Sequence, residues 1–495
     1  MGFVRPAVDW HGLAPEVVLV GTIVVLLLVD VASGDRAKWA MSSVAGIGLL
    51  ASLVPLLTLA VDGHDRSMFG GAYVVDNFAL LMKAVFIVAG YLTVLLSTNH
   101  VAEGDYWEGE YYLLLVSSVF GMTFIASARD LISLFVALEM LSIPAYLLAG
   151  WRKRELTGNE AGLKYYLMGV FASAVMLYGM SLIYGGTNTT VLADIGARMN
   201  GSFGNSPVAA LGIVFVLVGF AFKVSAVPFH NWAPDTYEGA PTPVTAFLSV
   251  ASKTAGFVAI LELIFIAFYG RDDVFGPMIW ILAALTMTVG NLIALRQTNV
   301  VRLLAYSSVA QAGFMLAPLA VAGHSGAVGR DALIAVISYL VIYTAMNMGA
   351  FGVVLAVSKK TRSGEITSWE GLVQYAPGLA VSMAMFLFAL AGIPPLGGWF
   401  AKFQVFKAVL GTGTFSGAAL GVVVAVNSVI ALFYYANLVR TMFMEDAPDG
   451  DMTPVRVPVA ITAAIAIAVV STLVIGFAPG LIGRLAEHAT FAIGR

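Results

Sequence analysis

The run Val208-Ala-Ala-Leu-Gly-Ile-Val-Phe-Val-Leu-Val-Gly-Phe-Ala-Phe-Lys223-Val-Ser-Ala-Val-Pro228-Phe-His230 decides how the chain is read. About 20 mostly apolar residues cross the hydrocarbon of a bilayer, so Lys223 falls inside a span, and Pro228 then interrupts its backbone hydrogen bonding. The whole chain has the same character. Of 495 residues, 59% are hydrophobic and only 11% charged, with a mean hydropathy of +0.89, whereas a soluble domain carries roughly 25% charged residues. Backbone groups in lipid must be satisfied within their own segment, and an all-α polytopic membrane protein is expected. Cysteine is absent, which excludes disulfides, thiolate zinc sites and cysteine-ligated clusters. No redox centre is therefore expected in this chain. A net charge of −3 and a pI near 6.1 give no basic surface for nucleic acid.

Working outward, span-length apolar stretches lie near 14–32, 38–60, 75–98, 110–127, 130–150, 163–185 and 208–230, then near 240–268, 276–296, 301–322, 329–357, 373–411, 416–441 and 458–481. Fourteen spans are predicted, the first read as retained because no small-residue cleavage site follows it. An even number places both termini on one side. One set of loops holds Arg36, Lys38, Arg152, Lys153, Arg154, Arg296, Arg302, Lys359, Lys360, Arg362, Arg440 and Arg456, against Arg66, Arg129, Arg198, Arg271 and Arg330 in the other. Positive charge marks the cytoplasmic side, so both termini are expected outside. The inner loop at 99–109 departs from the bias with Glu103, Asp105 and Glu108.

Three spans carry interruptions. Pro228 falls late in the seventh, Pro241 and Pro243 open the eighth, and Gly392-Ile-Pro-Pro-Leu-Gly-Gly398 cuts the twelfth. Broken helices at matching places in two halves are a transporter feature. Spans 4–8 and 9–13 are expected to form two inverted five-helix repeats, with Asp130–Glu139 laid over Asn299–Ser308. The expected divisions are 1–109, 110–268, 276–441 and 442–495.

Of the 26 basic residues, six lie within the spans, and all six are lysines: Lys83, Lys164, Lys223, Lys253, Lys402 and Lys407. The sixteen arginines lie outside the spans or at their edges. Arginine would serve better for pairing and never loses its charge, so lysine alone suggests titration. A lysine at the bilayer centre costs about 2.5–3.5 kcal/mol on insertion scales, so these side chains must face protein or water. Lys223, Lys253 and Lys402 sit deep, and Glu139 in span 5 is the matching deep acid, with Lys223 as its candidate partner. Lys83, Lys164 and Lys407 lie near span ends, where snorkelling explains them as well as function does. His230 is either an interfacial histidine or a relay, and Glu262 stays unassigned. Gly411–Gly417 is a loop without a nucleotide-binding context, and the six histidines show no metal-ligand spacing.

These residues also carry a resemblance. Gly219–Ser249 with Ser252-Lys253 resembles the signature of the antiporter-like subunits of respiratory complex I. Ala137-Leu-Glu-Met-Leu-Ser-Ile-Pro144, Leu303-Leu-Ala-Tyr-Ser-Ser308, Gly349-Ala-Phe-Gly352 and Gly392–Lys402 are similar to further motifs of that family. The Asp-Thr-Tyr-Glu-Gly-Ala-Pro-Thr-Pro-Val form looks like its N-type branch. The chain also ends soon after span 14, where L-type subunits continue into a long lateral helix, and Lys402 stands where M-type subunits usually have Glu. The resemblance implies a proton-translocating membrane subunit of an NADH:quinone oxidoreductase in a bacterial plasma membrane. It also implies that NADH, FMN, iron–sulfur clusters and quinone reside in partner subunits, and that other membrane subunits and lipid are the contacts of this chain. The implied proton-transfer residues are Glu139, Lys164, Lys223, His230, Lys253 and Lys402. Many relatives have His where Gln311 stands, and Gln holds a water chain without taking up a proton. A multisubunit cation/proton antiporter, which shares the fold and the buried lysines, is the alternative expectation.

Overall fold

The computed structural model describes residues 8–33, 38–102, 108–324, 326–447, 450–489 and 491, so Arg36, Glu103 and Asp105 lie outside the described residues. The chain opens with α1 (Ala14–Ser33) and α2 (Lys38–Asp62), then a hairpin of β1 (Arg66–Met68) and β2 (Tyr73–Val75). Next come α3 (Asn77–Ala102), α4 (Glu108–Ile125), α5 (Leu131–Ala149), α6 (Leu156–Thr187), α7 (Leu192–Met199), α8 (Pro207–Lys223) and α9 (Trp232–Gly239). The middle consists of α10 (Thr242–Phe247), α11 (Lys253–Glu262), α12 (Asp272–Ala294), α13 (Val300–Leu316) and α14 (Ala327–Thr361). The remainder is α15 (Leu372–Tyr375), α16 (Pro377–Ala391), α17 (Gly397–Leu410), α18 (Phe415–Met444), α19 (Val459–Phe477) and α20 (Pro479–His488). An addition to an all-helical expectation is the short antiparallel hairpin, Arg66 opposite Val75.

Among the described residues, eleven helices are long and apolar enough to cross a membrane, and three shorter apolar helices, Gly109–Ile125, Pro207–Lys223 and Pro377–Ala391, stand at the places of spans 4, 7 and 12. Burial separates an interior from a periphery. The best windows of Thr242–Ala267 and Ala327–Thr361 are each 94% buried, while those of Ala14–Ala32 and Ala40–Asp62 are 28% and 33%. A helix apolar all round is either core or lipid-facing; here the eighth and eleventh spans are the core.

The interruptions have distinct forms. The seventh span stops at Lys223, and its backbone turns through Val224–His230 before α9. The twelfth stops at Gly392, whose φ of 93° is left-handed and suits glycine, and restarts at Gly397. The eighth differs from expectation because it is not interrupted. Pro243 sits in the first turn of α10, where a missing N–H costs nothing, and the helix continues through π-turns at Leu248–Ser252 and Leu263–Ala267. Such turns widen the helix and are frequent at functional sites.

The aligned segments Asp130–Glu139 and Asn299–Ser308 begin alike. The Asp130 carboxylate accepts from the N–H groups of Ile132 and Ser133, and the Asn299 amide oxygen accepts from those of Val301 and Arg302. Both are N-caps that satisfy otherwise orphaned donors. Leu131 N donates to Thr190 O and Val300 N to Gly364 O, each at 2.8 Å. A Cβ at Gly121 would press on Leu141 N and Ala137 O, and one at Gly290 on Ala310 N and Tyr306 O. Small residues there let two backbones approach.

Gly398 shows where such closeness is strict, because a Cβ there would overlap the carbonyl of Ala389 across the break. Gly398→Ala is expected to cost about 1–3 kcal/mol through overpacking, read as a lowered midpoint of thermal denaturation in detergent. Gly378→Ala, which meets open space, should leave that midpoint in place.

Candidate proton-transfer site

The breaks set the lysines in place. Lys223 is the last residue of α8 and buried. A cation suits a helix C-terminus, where carbonyls lose their intrahelical donors. Its Nζ donates to Ser142 Oγ at 2.8 Å and to Tyr165 OH at 3.1 Å, and lies 5.5 Å from the Tyr165 ring centroid. Tyr165 is held by stacking on Trp232 at 4.4 Å, so the restarted helix α9 fixes the hydroxyl that Lys223 uses.

Lys253 opens α11 directly after the first π-turn. Its Nζ donates to both Ser308 O and Ser308 Oγ at 2.6 Å, and Tyr343 OH donates to the same Oγ at 2.9 Å. Lys402, in α17, reaches back across the break to Ala391 O at 2.8 Å and lies 4.4 Å from the Phe314 ring centroid. All three side chains are at 5% exposure or less, and none has a carboxylate within ion-pair distance among the described residues. Hydroxyls, carbonyls and ring faces are their only protein partners.

Gln311 joins the second and third lysines. Its Nε2 donates to Leu390 O at 3.1 Å and Tyr435 OH at 3.3 Å, and Tyr339 OH donates to its Oε1. Leu390 O adjoins the carbonyl that holds Lys402, and Ser308 lies one helical turn before Gln311 on α13. The link between Lys253 and Lys402 is therefore a run of polar groups. Several buried atoms of these helices have no protein partner, among them Thr254 Oγ1, Ser338 Oγ and Asn347 Oδ1.

The other expected residues are placed differently. Glu139 lies on a half-buried face of α5 beside exposed Val136, Met140 and Ile143, and accepts from Ser173 Oγ at 2.5 Å. It makes no ion pair with Lys223; Ser142, one turn along α5, stands between them. Lys223 therefore meets α5 at Ser142, while Glu139, three residues earlier on the adjoining strip of the same helix, bonds to Ser173. His230 is buried with Nδ1 lacking a protein partner, and its ring is 6.4 Å from that of Tyr306. Lys164 is outside the buried row. Its side chain is 42% exposed and pairs with Asp235 at 2.7 Å and Glu160 at 2.5 Å.

Asp235 also takes Arg302 at 3.0 Å, and Arg302 takes Glu238 at 2.6 Å. This network ties α6 and α9 to α13, and sequence reasoning missed it although Asp235 and Glu238 stand in a quoted motif. Lys407 is half-exposed on Asp331 at 2.8 Å. Lys83 does not snorkel: it is fully buried and contacts Glu16 at 2.8 Å and Tyr73 OH at 2.9 Å. Its Nζ also lies 5.1 Å from the Tyr73 ring centroid, so its partners are protein groups and not the headgroup region. Arg129 is buried too, at the edge of a span, and pairs with Asp76 and Glu262. No cluster of three or more His, Asp or Glu suited to a metal occurs among the described residues.

Replacing Gln311 by Leu would leave Tyr339 OH and Leu390 O without this partner. The expected loss is about 1–3 kcal/mol of stability, read as a lowered thermal midpoint of the purified protein, with Gln311→Glu retaining the acceptor for Tyr339.

Residues 128–428 match the family described as NADH:quinone oxidoreductase/Mrp antiporter, TM. The chain is 38% identical over 485 residues to NADH-quinone oxidoreductase subunit N of Trichlorobacter lovleyi, covering 97% of each. It is 32% identical to a chain of respiratory complex I from Thermus thermophilus with bound aureothin, with a TM-score of 0.78, covering 96% of this chain and 99% of that one. A chain of the Mrp complex from Dietzia sp. DQ12-45-1b shares the fold, with a TM-score of 0.84 at 24% identity and 97% of each chain covered. With sequence identity sustained over nearly the whole length, this chain belongs to the NADH-quinone oxidoreductase subunit N family, the antiporter-like membrane subunits of respiratory complex I.

Proposed function

We propose that this chain translocates protons as a membrane subunit of an NADH:quinone oxidoreductase, along a row formed by Lys223, Lys253 and Lys402. The observation that carries the reading is that three buried lysines have no carboxylate partner. An ammonium so placed is costly, and the neutral amine relieves that cost. Each lysine therefore changes protonation readily when a nearby charge changes. The hydroxyls of Ser142, Tyr165 and Ser308 and the amide of Gln311 offer both donors and acceptors between them. Buried polar atoms without protein partners are the places where ordered water completes such a row. Glu139, on the half-buried face, receives the electrostatic signal from a neighbouring membrane subunit and passes it to Lys223. Lys164, with Asp235 and Arg302, forms the charged inner mouth, and His230 lies beneath it as a relay.

Fourteen crossings fit this reading, the eleven long helices plus α4, α8 and α16. The paired caps at Asp130 and Asn299 and the paired glycines at 121 and 290 hold a constant offset of 169 residues, which supports two inverted five-helix repeats over 110–268 and 276–441, flanked by 1–109 and 442–495. At that offset Glu139 corresponds to Ser308, the group that holds Lys253. The loop distribution of Lys and Arg supports termini on the outer side of a bacterial plasma membrane. NADH, FMN, iron–sulfur clusters and quinone belong to partner subunits; lipid covers the remaining apolar surface. The cation/proton antiporter reading is weaker, because its structural relative shares the fold at 24% identity against 38% for a subunit N.

In the assembled complex, Lys223→Ala or Glu139→Ala is expected to lower coupled quinone reduction about tenfold or more, the scale of a lost proton-transfer group. NADH-driven quinone reduction and acidification of sealed vesicles measure this. Wild-type rates in both variants would refute the assignment.

A further inference from the structure

Lys253 and Glu262 are the first and last residues of α11, about 14 Å apart along its axis at 1.5 Å per residue. Glu262 lies at the same end of the bundle as the beginnings of α1, α3 and α5, which bring Glu16, Asp76 with Lys83, and Arg129. The loop charges make that end the outer one. Glu262 is fully buried. Its Oε1 accepts from Arg129 Nη1 at 2.5 Å, and its Oε2 has no protein partner. The same guanidinium donates through Nη2 to Asp76 Oδ2 at 3.0 Å and through Nη1 to the carbonyls of Ala126 and Ala128 at 3.2 Å. The Phe491 ring lies 5.5 Å from its Cζ.

Two carboxylates thus lean on one guanidinium, each through one oxygen. A structural arginine pair normally engages one carboxylate by both forks and leaves no oxygen over. Here the leftover Glu262 oxygen is buried and free of protein donors, which leaves it as the place on this cluster where a proton or a water molecule can be taken up. The neighbouring pair Lys83–Glu16 is separate but close. β2 connects the two sites through Arg129 N to Ala72 O and Val74 N to Ser127 O, both 2.8 Å. Tyr73, which follows Ala72, receives the bond from Lys83. Thr254 Oγ1, next in sequence to Lys253, is buried without a protein partner.

We infer that Glu262 is a proton-holding residue on the outer side of the row, receiving the proton that Lys253 releases, with Arg129 as its positioning residue. The inference rests on the reading of Lys253 as a proton carrier. In the step, an N–H bond of the Lys253 ammonium breaks and leaves the neutral amine, the proton passes through water, and an O–H bond forms on Glu262 Oε2. On release toward the outer face that O–H bond breaks and the carboxylate returns to Arg129. No electrons move and no other reactant is consumed.

The test uses the assembled complex in liposomes, comparing wild type with Glu262→Gln, Glu262→Asp and Lys253→Met. Quinone reduction, proton pumping and the infrared difference spectrum on NADH addition are the readouts. The expected result is that Glu262→Gln slows coupled turnover about tenfold and removes a deuterium-sensitive carboxylic-acid band, whereas Glu262→Asp restores turnover and moves the band. Wild-type turnover in Glu262→Gln with Lys253→Met inactive overturns this proposal alone; wild-type turnover in both overturns the lysine reading itself. Slow turnover in both Glu262 variants with an unchanged band marks a purely structural ion pair and also overturns it. Should Glu262→Gln fail to assemble, the Glu262→Asp spectrum decides, and a band that stays in place overturns the proposal.

Discussion

Lys253 held by the carbonyl and hydroxyl of a single residue, Ser308, is the contact around which the rest is arranged. A cation in a low-dielectric interior needs either a counter-charge or a cage of dipoles. A counter-charge in contact would fix the proton on the lysine. The dipolar cage leaves the proton mobile, and it is built from hydroxyls and from helix carbonyls that keep a second lone pair. The π-turn before Lys253, the end of α8 at Lys223 and the break at Gly392 behind Lys402 put a departure from the regular helical ladder beside each lysine, and at Lys402 the break also supplies the acceptor, Ala391 O.

Such departures are costly in lipid, where exposed backbone groups find no water. They are tolerated because they lie in the interior. The eighth and eleventh spans, 94% buried in their best windows, place a wall of protein on every side of Lys253, and Ala335, Ile337, Leu340 and Phe351 of α14 are among the fully buried residues. The lipid-facing helices α1 and α2 are regular by comparison. The residues at which the backbone departs from the ladder next to the lysines, Lys223, Ser252 and Ala391, are themselves buried.

The beginnings of α1, α3 and α5 follow a different rule. Arg129 is in direct contact with two carboxylates and Lys83 with one, so cations there are neutralised by acids, whereas the row in the middle has none. The junction of α6, α9 and α13 has its own network, partly exposed and mixed, through Lys164, Asp235, Arg302 and Glu238. Positive charge is therefore treated in three ways: partly exposed to solvent and paired at Lys164 and Arg302, caged by dipoles at Lys223, Lys253 and Lys402, and paired with buried acids at Arg129 and Lys83.

Much of this was legible in the residues. Apolar length placed the spans, and lysines inside apolar runs marked the row, because both follow from the cost of moving a group out of water and need no knowledge of neighbours. Pro228 and Gly392-Ile-Pro-Pro likewise announced two breaks, since a missing N–H or a positive φ is a local property. Pro241 and Pro243 misled for the same reason: a proline in a first turn and one in a helix interior read alike until the helix start is known. What a side chain faces is not local. That Lys223 takes Ser142 of α5 as its hydrogen-bond partner, that Lys83 is sealed rather than snorkelling, and that Arg129 gathers Asp76 and Glu262 from residues up to 133 positions away were decided by tertiary packing alone. The sequence by itself determined which groups enter the membrane; only the packed bundle decided which of them meet, because partnership depends on the rotation of one helix against another.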